Sequence, residues 1–367
     1  MRAMRAAVSR DGQPFPTIET VEIEDPRPGE MLVRIVAAGI CHTDLRAHRG
    51  GVLPTPRPVV LGHEGAGVVE RIGVAVTGFQ VGDPVVLSGS SCGQCPGCRS
   101  GLPAYCDQGF ARIFGGRRMD GSSPLYQNGV ELNASFFGQS SFAEYAIVEE
   151  RSAVKVSGTT GLPLLGPLGC GVITGAGAVL RSMRLQAGQS LAVFGVGGVG
   201  MSAVMAARLA GASRIIAVDH NAARLDLAVE LGATHAVAAG EAAAAGIRAV
   251  VRRGVDLSLN TTGIGSVFAQ AIDCLAPAGI AAFVAAPREP WVPDMMKLLT
   301  GGKRLQGIQG GDADPQLFLP MLIDLWQAGR FPFDRLIRRY PFAEIGRAFA
   351  DCASGATVKP VLDIAAC

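Results

Sequence analysis

The sequence has almost no net charge. Over 367 residues the formal charge is +2, only 17% of positions are charged, and no block of like charges occurs. That excludes the broad electrostatic field with which proteins grip nucleic acid. Internal repeats and low-complexity tracts are also absent, which sets aside solenoid and disordered classes. Uninterrupted apolar runs are missing too. The two longest uncharged stretches, residues 159–180 and 185–207, are broken by many glycines, and the first also by Pro163 and Pro167. A membrane-spanning helix needs about 20 mostly apolar residues in a row. A buried strand, turn and helix explain the second stretch better. The opening Met1-Arg-Ala-Met-Arg5 is basic, but no apolar run follows it. That argues against a secretory leader and for a cytoplasmic protein. What remains is a Gly-rich chain with length for about two domains, each able to bury its own core.

Cysteine breaks this plainness. The segment Cys92-Gly-Gln-Cys95-Pro-Gly-Cys98-Arg-Ser-Gly-Leu-Pro-Ala-Tyr-Cys106 holds four thiols. One short loop with this spacing can wrap four thiolates around a tetrahedral zinc ion. Four sulfur ligands leave no place for water, so such a site is structural. A disulfide pair or four unrelated loop cysteines is the alternative. It sits poorly with a cytoplasmic chain whose thiols are separated by Gly and Pro turns. Cys274, Cys352 and Cys367 show no partner pattern, and inert thiols are the default for them.

The chain reads in three parts. Residues 1–170 show short strands, proline turns and loops, with strands expected over 31–38, 65–72 and 83–87. Residues 171–308 alternate strand and helix: strands at 191–194, 215–219, 255–260 and 280–284, helices at 198–210, 222–231 and 266–274. This alternation marks a parallel sheet covered on both faces. Residues 309–367 return with amphipathic helices near 317–328 and 342–353 and a closing strand at 359–364. The expected class is α/β.

The middle part carries a dinucleotide fingerprint. A strand leads into Gly195-Val-Gly197-Gly198-Val199-Gly200, which opens a helix. Gly195 allows a tight turn, Gly197 lets the backbone approach a pyrophosphate, and Gly200 lets helix and strand pack closely. The helix N-terminus supplies N–H groups and dipole. Asp219 ends the next strand, where it would accept from ribose hydroxyls and repel a 2′-phosphate, favouring NAD over NADP. A Gly-rich packing turn is the bland alternative. Arg224 could lie over the same ribose or be a solvated helix residue.

Three further residues, Cys41, His63 and Cys170, are too scattered for composition to unite. Each alone could be a core side chain. The segment Gly62-His63-Glu64-x-x-Gly67-x5-Gly73-x2-Val76, the four-thiol loop and the glycine fingerprint together resemble zinc-containing medium-chain alcohol dehydrogenases over nearly the whole chain. The segments Leu165-Gly-Pro-Leu-Gly-Cys170-Gly-Val-Ile-Thr-Gly-Ala-Gly-Ala178 and Phe331-Pro-Phe-Asp-Arg-Leu-Ile337, with Tyr340-Pro-Phe342, are most similar to the aryl-alcohol subgroup. The resemblance implies a Rossmann-type doubly wound sheet (171–308) beside a GroES-like, mostly-β catalytic domain (1–170), which 309–367 completes.

It also implies that Cys41, His63 and Cys170 bind a catalytic zinc. Cys2His with an open fourth position is the known arrangement of alcohol dehydrogenases. Each chain would then hold two zinc ions. Glu64 could approach the metal during ligand exchange. Asp44 would hold the His63 imidazole, or simply cap a turn. Thr43 matches the hydroxyl that takes the alcohol proton. The family's final acceptor is a histidine, but Arg46 stands at that position and cannot accept a proton at neutral pH. His48 or water would substitute. His42 and Lys359 match bases that contact the pyrophosphate, or are surface residues. Phe136 and Phe137 match the substrate barrel, or are core. A small Ser88 would leave room for a flat alcohol. The expected activity is oxidation of primary aromatic or allylic alcohols to aldehydes with NAD, by a homodimer or homotetramer. Oxidation of other aliphatic alcohols, a zinc-stabilised nucleotide-binding protein without turnover, and a zinc-independent enone reductase are the rivals. The last usually lacks all seven ligands.

Overall fold

The computed structural model describes residues 1–51, 53–158 and 161–364. Cys367 and part of the uncharged stretch 159–180 lie outside the described residues. The chain forms two compact units: one comprises Met1–Cys170, Asp314–Met321 and Asp334–Cys367, the other Gly171–Ala313 and Leu322–Phe333. The return segment expected at 309–367 is therefore divided. Leu322–Phe333 goes with the nucleotide unit, and the division falls just after Pro320 inside the helix Pro315–Gln327.

The first unit is mostly β. A five-stranded sheet runs Val59–Val60, Arg2–Ser9, Thr17–Ile23, Leu125–Gln127, Val130–Leu132. A seven-stranded sheet runs Ala153–Lys155, Pro84–Leu87, Gly65–Ile72, Glu30–Gly39, Lys359–Asp363, Ile337–Pro341, with Tyr145–Glu149 also pairing Glu30–Gly39. Two-residue periodicity decides which core each side chain enters. Along Glu30–Gly39, Met31, Val33 and Ile35 enter one cluster with Leu61, Leu87 and Phe136, while Leu32 enters another with Met4, Val8 and Val21. The strand Lys359–Asp363 pairs antiparallel with Glu30–Gly39, Val361 opposite Gly39. That return brings Lys359 beside the residues that follow Gly39: Ile40 N–H donates to Pro360 O at 2.9 Å.

The second unit is a six-stranded parallel sheet in the order His235–Ala238, Arg214–Asp219, Ser190–Phe194, Val255–Asn260, Leu275–Phe283, Arg304–Gly307. Counted along the chain, this is the Rossmann order, reversing beside the first strand, where dinucleotides bind outside the strands' carboxyl ends. Every residue of Ser190–Phe194 is buried, as expected of a strand covered on both faces. The helix Gly198–Leu209 follows it directly and buries Met201 and the run Ala203–Ala207. Among the described residues no single helix is long and apolar enough to cross a membrane, although one bent pair of short helical segments passes by length and composition alone.

Candidate active site

The four thiols of the contiguous loop converge. The sulfurs of Cys92, Cys95, Cys98 and Cys106 all lie within 4.8 Å of one another. None of the eight described cysteines forms a disulfide. Cys92 Sγ and Cys98 Sγ are 3.9 Å apart. A tetrahedral zinc with bonds of about 2.3 Å would separate its sulfurs by about 3.8 Å, so the set fits that ion. Backbone amides point at the sulfurs: Cys92 N–H donates to Cys106 Sγ at 3.2 Å and Cys95 N–H to Cys92 Sγ at 3.4 Å. The amides of Gln94 and Cys95 pull the Cys92 thiol down to about 6. Burial pushes Cys98 up to about 11. A bound dication would deprotonate it.

The scattered set converges as well. Sulfurs of Cys41 and Cys170, a ring nitrogen of His63 and a carboxylate oxygen of Glu64 lie within 4.8 Å of one another. Cys41 is the N-cap of the helix His42–Arg49, and Asp44 is its N3 residue. Asp44 is fully buried and does two things at once. Its Oδ2 accepts from Cys41 N–H at 2.9 Å, and its Oδ1 accepts from His63 Nδ1 at 2.9 Å. Capping and holding the imidazole are thus one role. Because Nδ1 is committed to Asp44, Nε2 must face the other way. It is buried and has no hydrogen-bond partner. A buried imidazole nitrogen left bare beside two thiols is what a metal ligand looks like before its ion is considered. Cys170 reaches this place because Gly169 has no side chain: a Cβ there would meet Leu87 O at 1.9 Å.

Hydrogen bonding to Cys170 and attraction to His63 and Lys359 hold Cys41 well below the usual thiol range, while the same contact and burial push Cys170 up. Burial acts to lower His63, but the Asp44 carboxylate and the Cys41 thiolate overcome it and raise it to about 10. Two thiolates and a neutral imidazole would cancel the charge of a zinc ion.

Behind this set lies a buried ion pair that sequence reasoning missed. Lys359 Nζ is 2.8 and 2.9 Å from the two Glu64 oxygens and 3.3 Å from Ile40 O. Lys359 was expected at a pyrophosphate; its ammonium instead has a buried carboxylate for a partner. Burial raises the Glu64 pKa, opposed by Lys359. Gln139 was also missed. Its Nε2 donates to His63 O at 3.1 Å and its Oε1 accepts from Gly65 N–H at 3.1 Å, so it fixes the backbone on both sides of Glu64. Only the return strand and the loop at 139 bring these partners in, and neither is near His63 in sequence.

The remaining expectations divide. Thr43 Oγ1 lies 3.7 Å from Cys41 Sγ, beside the ligand set. His42 is exposed and Arg46 half-buried on the same helix. His48 does not suit the relay. Its Nε2 faces Gln13 O at 3.1 Å and so must carry the proton, while Nδ1 is 2.7 Å from Ser9 Oγ and accepts from it. Burial first, then Arg57 and Arg49, lower its pKa. Ser88 is buried, and its hydroxyl donates to Gly169 O at 2.8 Å and so braces the Cys170 segment. Phe136 is fully buried core, with its ring 5.6 Å from that of His63. Phe137 alone is partly exposed, and it stacks on His63 at 4.2 Å between ring centroids and 24° between planes.

The nucleotide loop fits its fingerprint glycine by glycine. Gly195 has φ +84°, and a Cβ there would meet Thr261 Oγ1 at 2.6 Å; a Cβ on Gly200 would meet Gly195 O at 2.0 Å. Gly197 has ordinary φ and nothing within 4 Å of a would-be Cβ. The chain itself makes no demand for glycine at 197, whereas a pyrophosphate lying against the backbone would. Gly198 and Val199 open the helix whose N-cap is Gly197. Asp219 Oδ2 accepts from Val196 N–H at 2.9 Å, which ties the acid to the glycine loop. Its Oδ1 accepts from Asn221 N–H at 2.9 Å. Each carboxylate oxygen keeps accepting capacity for ribose hydroxyls. Arg224 is half-buried in the first turn of the helix Ala222–Leu231.

Comparison with known proteins agrees with this geometry. Residues 27–158 match the alcohol dehydrogenase GroES-like domain, and residues 198–325 match the zinc-binding dehydrogenase family. The chain is 46% identical over 366 residues to geraniol dehydrogenase of Castellaniella defragrans, covering 98% of this chain and 97% of that one. It superposes on benzyl alcohol dehydrogenase of Acinetobacter calcoaceticus with a TM-score of 0.95 at 42% identity, covering 100% of both chains. An alcohol dehydrogenase zinc-binding domain protein of Burkholderia ambifaria gives a TM-score of 0.96 at 49% identity, again covering 100% of both. With both domain families, a full-length relative and a convergent Cys2His set, this chain belongs to the zinc-containing medium-chain alcohol dehydrogenase family.

Proposed function

We propose that this alcohol dehydrogenase oxidises primary aromatic or allylic alcohols to aldehydes with NAD as hydride acceptor. The observation that carries the reading is the Phe137 ring stacked on His63. It places an aromatic surface against a residue of the Cys2His set. A flat π-system next to the carbinol carbon would pack on such a surface, a contact worth about 0.5–1.5 kcal/mol beyond area burial. The likeness to a geraniol dehydrogenase and a benzyl alcohol dehydrogenase supports the same class.

Cys41, His63 and Cys170 would hold the catalytic zinc and the four-thiol loop a second, structural one. Bound zinc supplies Lewis acidity that lowers the pKa of an alcohol hydroxyl. Asp44 fixes the His63 tautomer through Nδ1, so that Nε2 is the ligating atom. Thr43 Oγ is the group that takes up the alcohol proton, and neither Arg46 nor His48 ends its path, which leaves water. Asp219 would select NAD by offering its carboxylate to ribose hydroxyls, and the loop from Gly195 to Gly200 would hold the pyrophosphate. The test is NADH formation, followed by absorbance, across benzyl, cinnamyl, geranyl and short aliphatic alcohols. Efficiency for benzyl or geranyl alcohol should exceed that for ethanol by about tenfold or more, since each unburied methylene forfeits about 0.8 kcal/mol. A ratio near one would refute the substrate class.

A further inference from the structure

The Phe137 ring does not hold itself in place. Its backbone is left-handed, with φ +56°, and it sits between Ser135 at φ +67° and Ser140 at φ +53°. Left-handed backbone is uncommon for any side chain but glycine and costs most for bulky ones. A loop strained three times in six residues persists only when its surroundings fix it. Some of that fixing is polar. Ser140 Oγ accepts from Phe136 N–H at 2.9 Å and donates to Val60 O at 2.6 Å. These bonds hold the backbone and leave the Phe137 side chain to be aimed by packing.

The packing comes from Phe136, with centroids 4.9 Å apart and planes at 64°, and from the helix that follows the four-thiol loop. The helix Gly109–Phe114 starts three residues after the fourth thiol, and Gly109 N–H donates to Cys106 O at 2.7 Å. Its last residue, Phe114, meets Phe137 edge-on, with centroids 5.6 Å apart and planes at 85°. Phe114 also contacts Phe136 at 6.3 Å, and Phe110 closes the row from outside at 5.3 Å. One row of rings thus runs Phe110, Phe114, Phe137, His63, with the buried Phe136 beside the last three. Arg112 on the same helix anchors it, with Nη1 2.7 Å from a Glu149 oxygen and 3.2 Å from Ser90 Oγ.

We propose that Phe114 is a positioning residue that braces Phe137 against His63, so that the four-thiol loop shapes the aromatic wall on which the alcohol is held. The loop with four sulfurs is then more than a clamp on the fold. This inference rests on the reading of Phe137 as the surface for the alcohol.

The test is a double-mutant cycle on the zinc-loaded enzyme with Phe114→Ala, Phe137→Ala and the pair. Zinc content is measured for every variant. KM and kcat are read for the alcohol turned over fastest and for ethanol. Phe114→Ala should raise KM for the faster alcohol by about threefold to tenfold, the worth of one aromatic pair, with a smaller change in kcat. In the Phe137→Ala background the same change should add little, because the brace has nothing left to hold. Phe114→Tyr keeps the edge-on ring and should retain the unaltered KM. Additive effects in the pair, or an unchanged KM in Phe114→Ala, would overturn the inference. Should Phe114→Ala not fold, Phe114→Leu removes the ring edge while filling the space, and the same two outcomes decide. The aromatic-to-ethanol ratio of the unaltered enzyme tests the substrate reading separately, since coupling between Phe114 and Phe137 can be measured on whichever alcohol is used.

Discussion

The two sulfur-rich sets of this chain reach similar geometry by opposite routes. Cys92, Cys95, Cys98 and Cys106 come from one short loop, whereas Cys41, His63 and Cys170 come from three segments. In the loop, backbone amides settle the thiols and little else is needed. In the scattered set, Asp44, Gln139, Ser88 and the Glu64–Lys359 pair all serve to bring the ligands into register. A closed site can be local because it only has to hold. The scattered set needs outside support for each of its members, and its fourth donor, Glu64, is itself held by Lys359.

That contrast breaks most sharply under ligand removal. His63→Ala should abolish alcohol turnover while leaving a folded protein that still binds NADH, read by fluorescence, because the nucleotide loop belongs to the other unit. Cys106→Ser should instead lower the melting temperature and the yield of soluble protein. Zinc analysis should find about one ion lost in each. Turnover by His63→Ala, or its complete unfolding, would show that the two sets do not differ in role. Next in size is Thr43. Thr43→Ala should cut kcat/KM by about 10²–10⁴, the usual worth of a proton-transfer group, while Thr43→Ser keeps most activity. An unchanged rate would make the hydroxyl a packing group.

The support behind the scattered set is tested at Lys359. Its side chain is 6% exposed and that of Glu64 is 0% exposed. Lys359→Met takes the ammonium from a buried carboxylate, and breaking such a pair costs about 3–5 kcal/mol. Denaturant unfolding should show that loss, and adding Glu64→Gln should recover much of it. Stability equal to the unaltered chain in the single variant would mean that the pair contributes nothing.

These supports also mark where sequence reading stopped. The four-thiol loop was legible because its geometry is encoded in its spacing. The strands 65–72 and 255–260 and the helix 222–231 were legible from apolar pattern and turn residues, and the structure forms Gly65–Ile72, Val255–Asn260 and Ala222–Leu231. The strand Arg2–Ser9 is not legible, since Arg2, Ala3 and Arg5 are exposed and the alternation gives way to the buried run Ala6–Ser9. Uniting Cys41, His63 and Cys170 took the resemblance to a family; nothing local does it. The partner of Lys359 was out of reach for the same reason. It lies 295 residues away and meets Glu64 only because the last strand returns beside Glu30–Gly39. Position alone leaves Phe136 open between barrel and core, and its burial makes it core; the hydrogen bonds of Ser88 and His48 lie with partners that position does not reveal.

The nucleotide unit supplies a smaller effect. Asp219→Ser should raise efficiency with NADP relative to NAD. Like charges about 4 Å apart cost roughly 4 kcal/mol at an effective dielectric of about 20. Screening removes part of that, so a shift of about tenfold or more is expected. Equal efficiency with both cofactors in the unaltered enzyme would remove Asp219 from cofactor selection.

The smallest effect concerns His48, which sits on the helix of the scattered set yet outside its chemistry. Its ring is closed by Ser9 on one side and Gln13 O on the other, and it packs edge-on against Phe349 at 5.9 Å. A histidine so placed cannot hand on a proton without breaking one of those bonds. His48→Gln should therefore leave the pH–rate profile where it was. Stability should change instead. The substitution keeps a donor for Gln13 O but unpairs the Ser9 hydroxyl, at a cost of about 1 kcal/mol. The pH dependence of stability gives the sign. Burial lowers the folded pKa of His48. The unfolded chain therefore takes the proton first, and stability present above about pH 6.5 is lost as the pH falls below it. Removing the imidazole should flatten that part of the stability curve between about pH 7 and pH 5. A shifted pH–rate profile with an unchanged stability curve would return His48 to the proton path and make the helix His42–Arg49 catalytic at both ends.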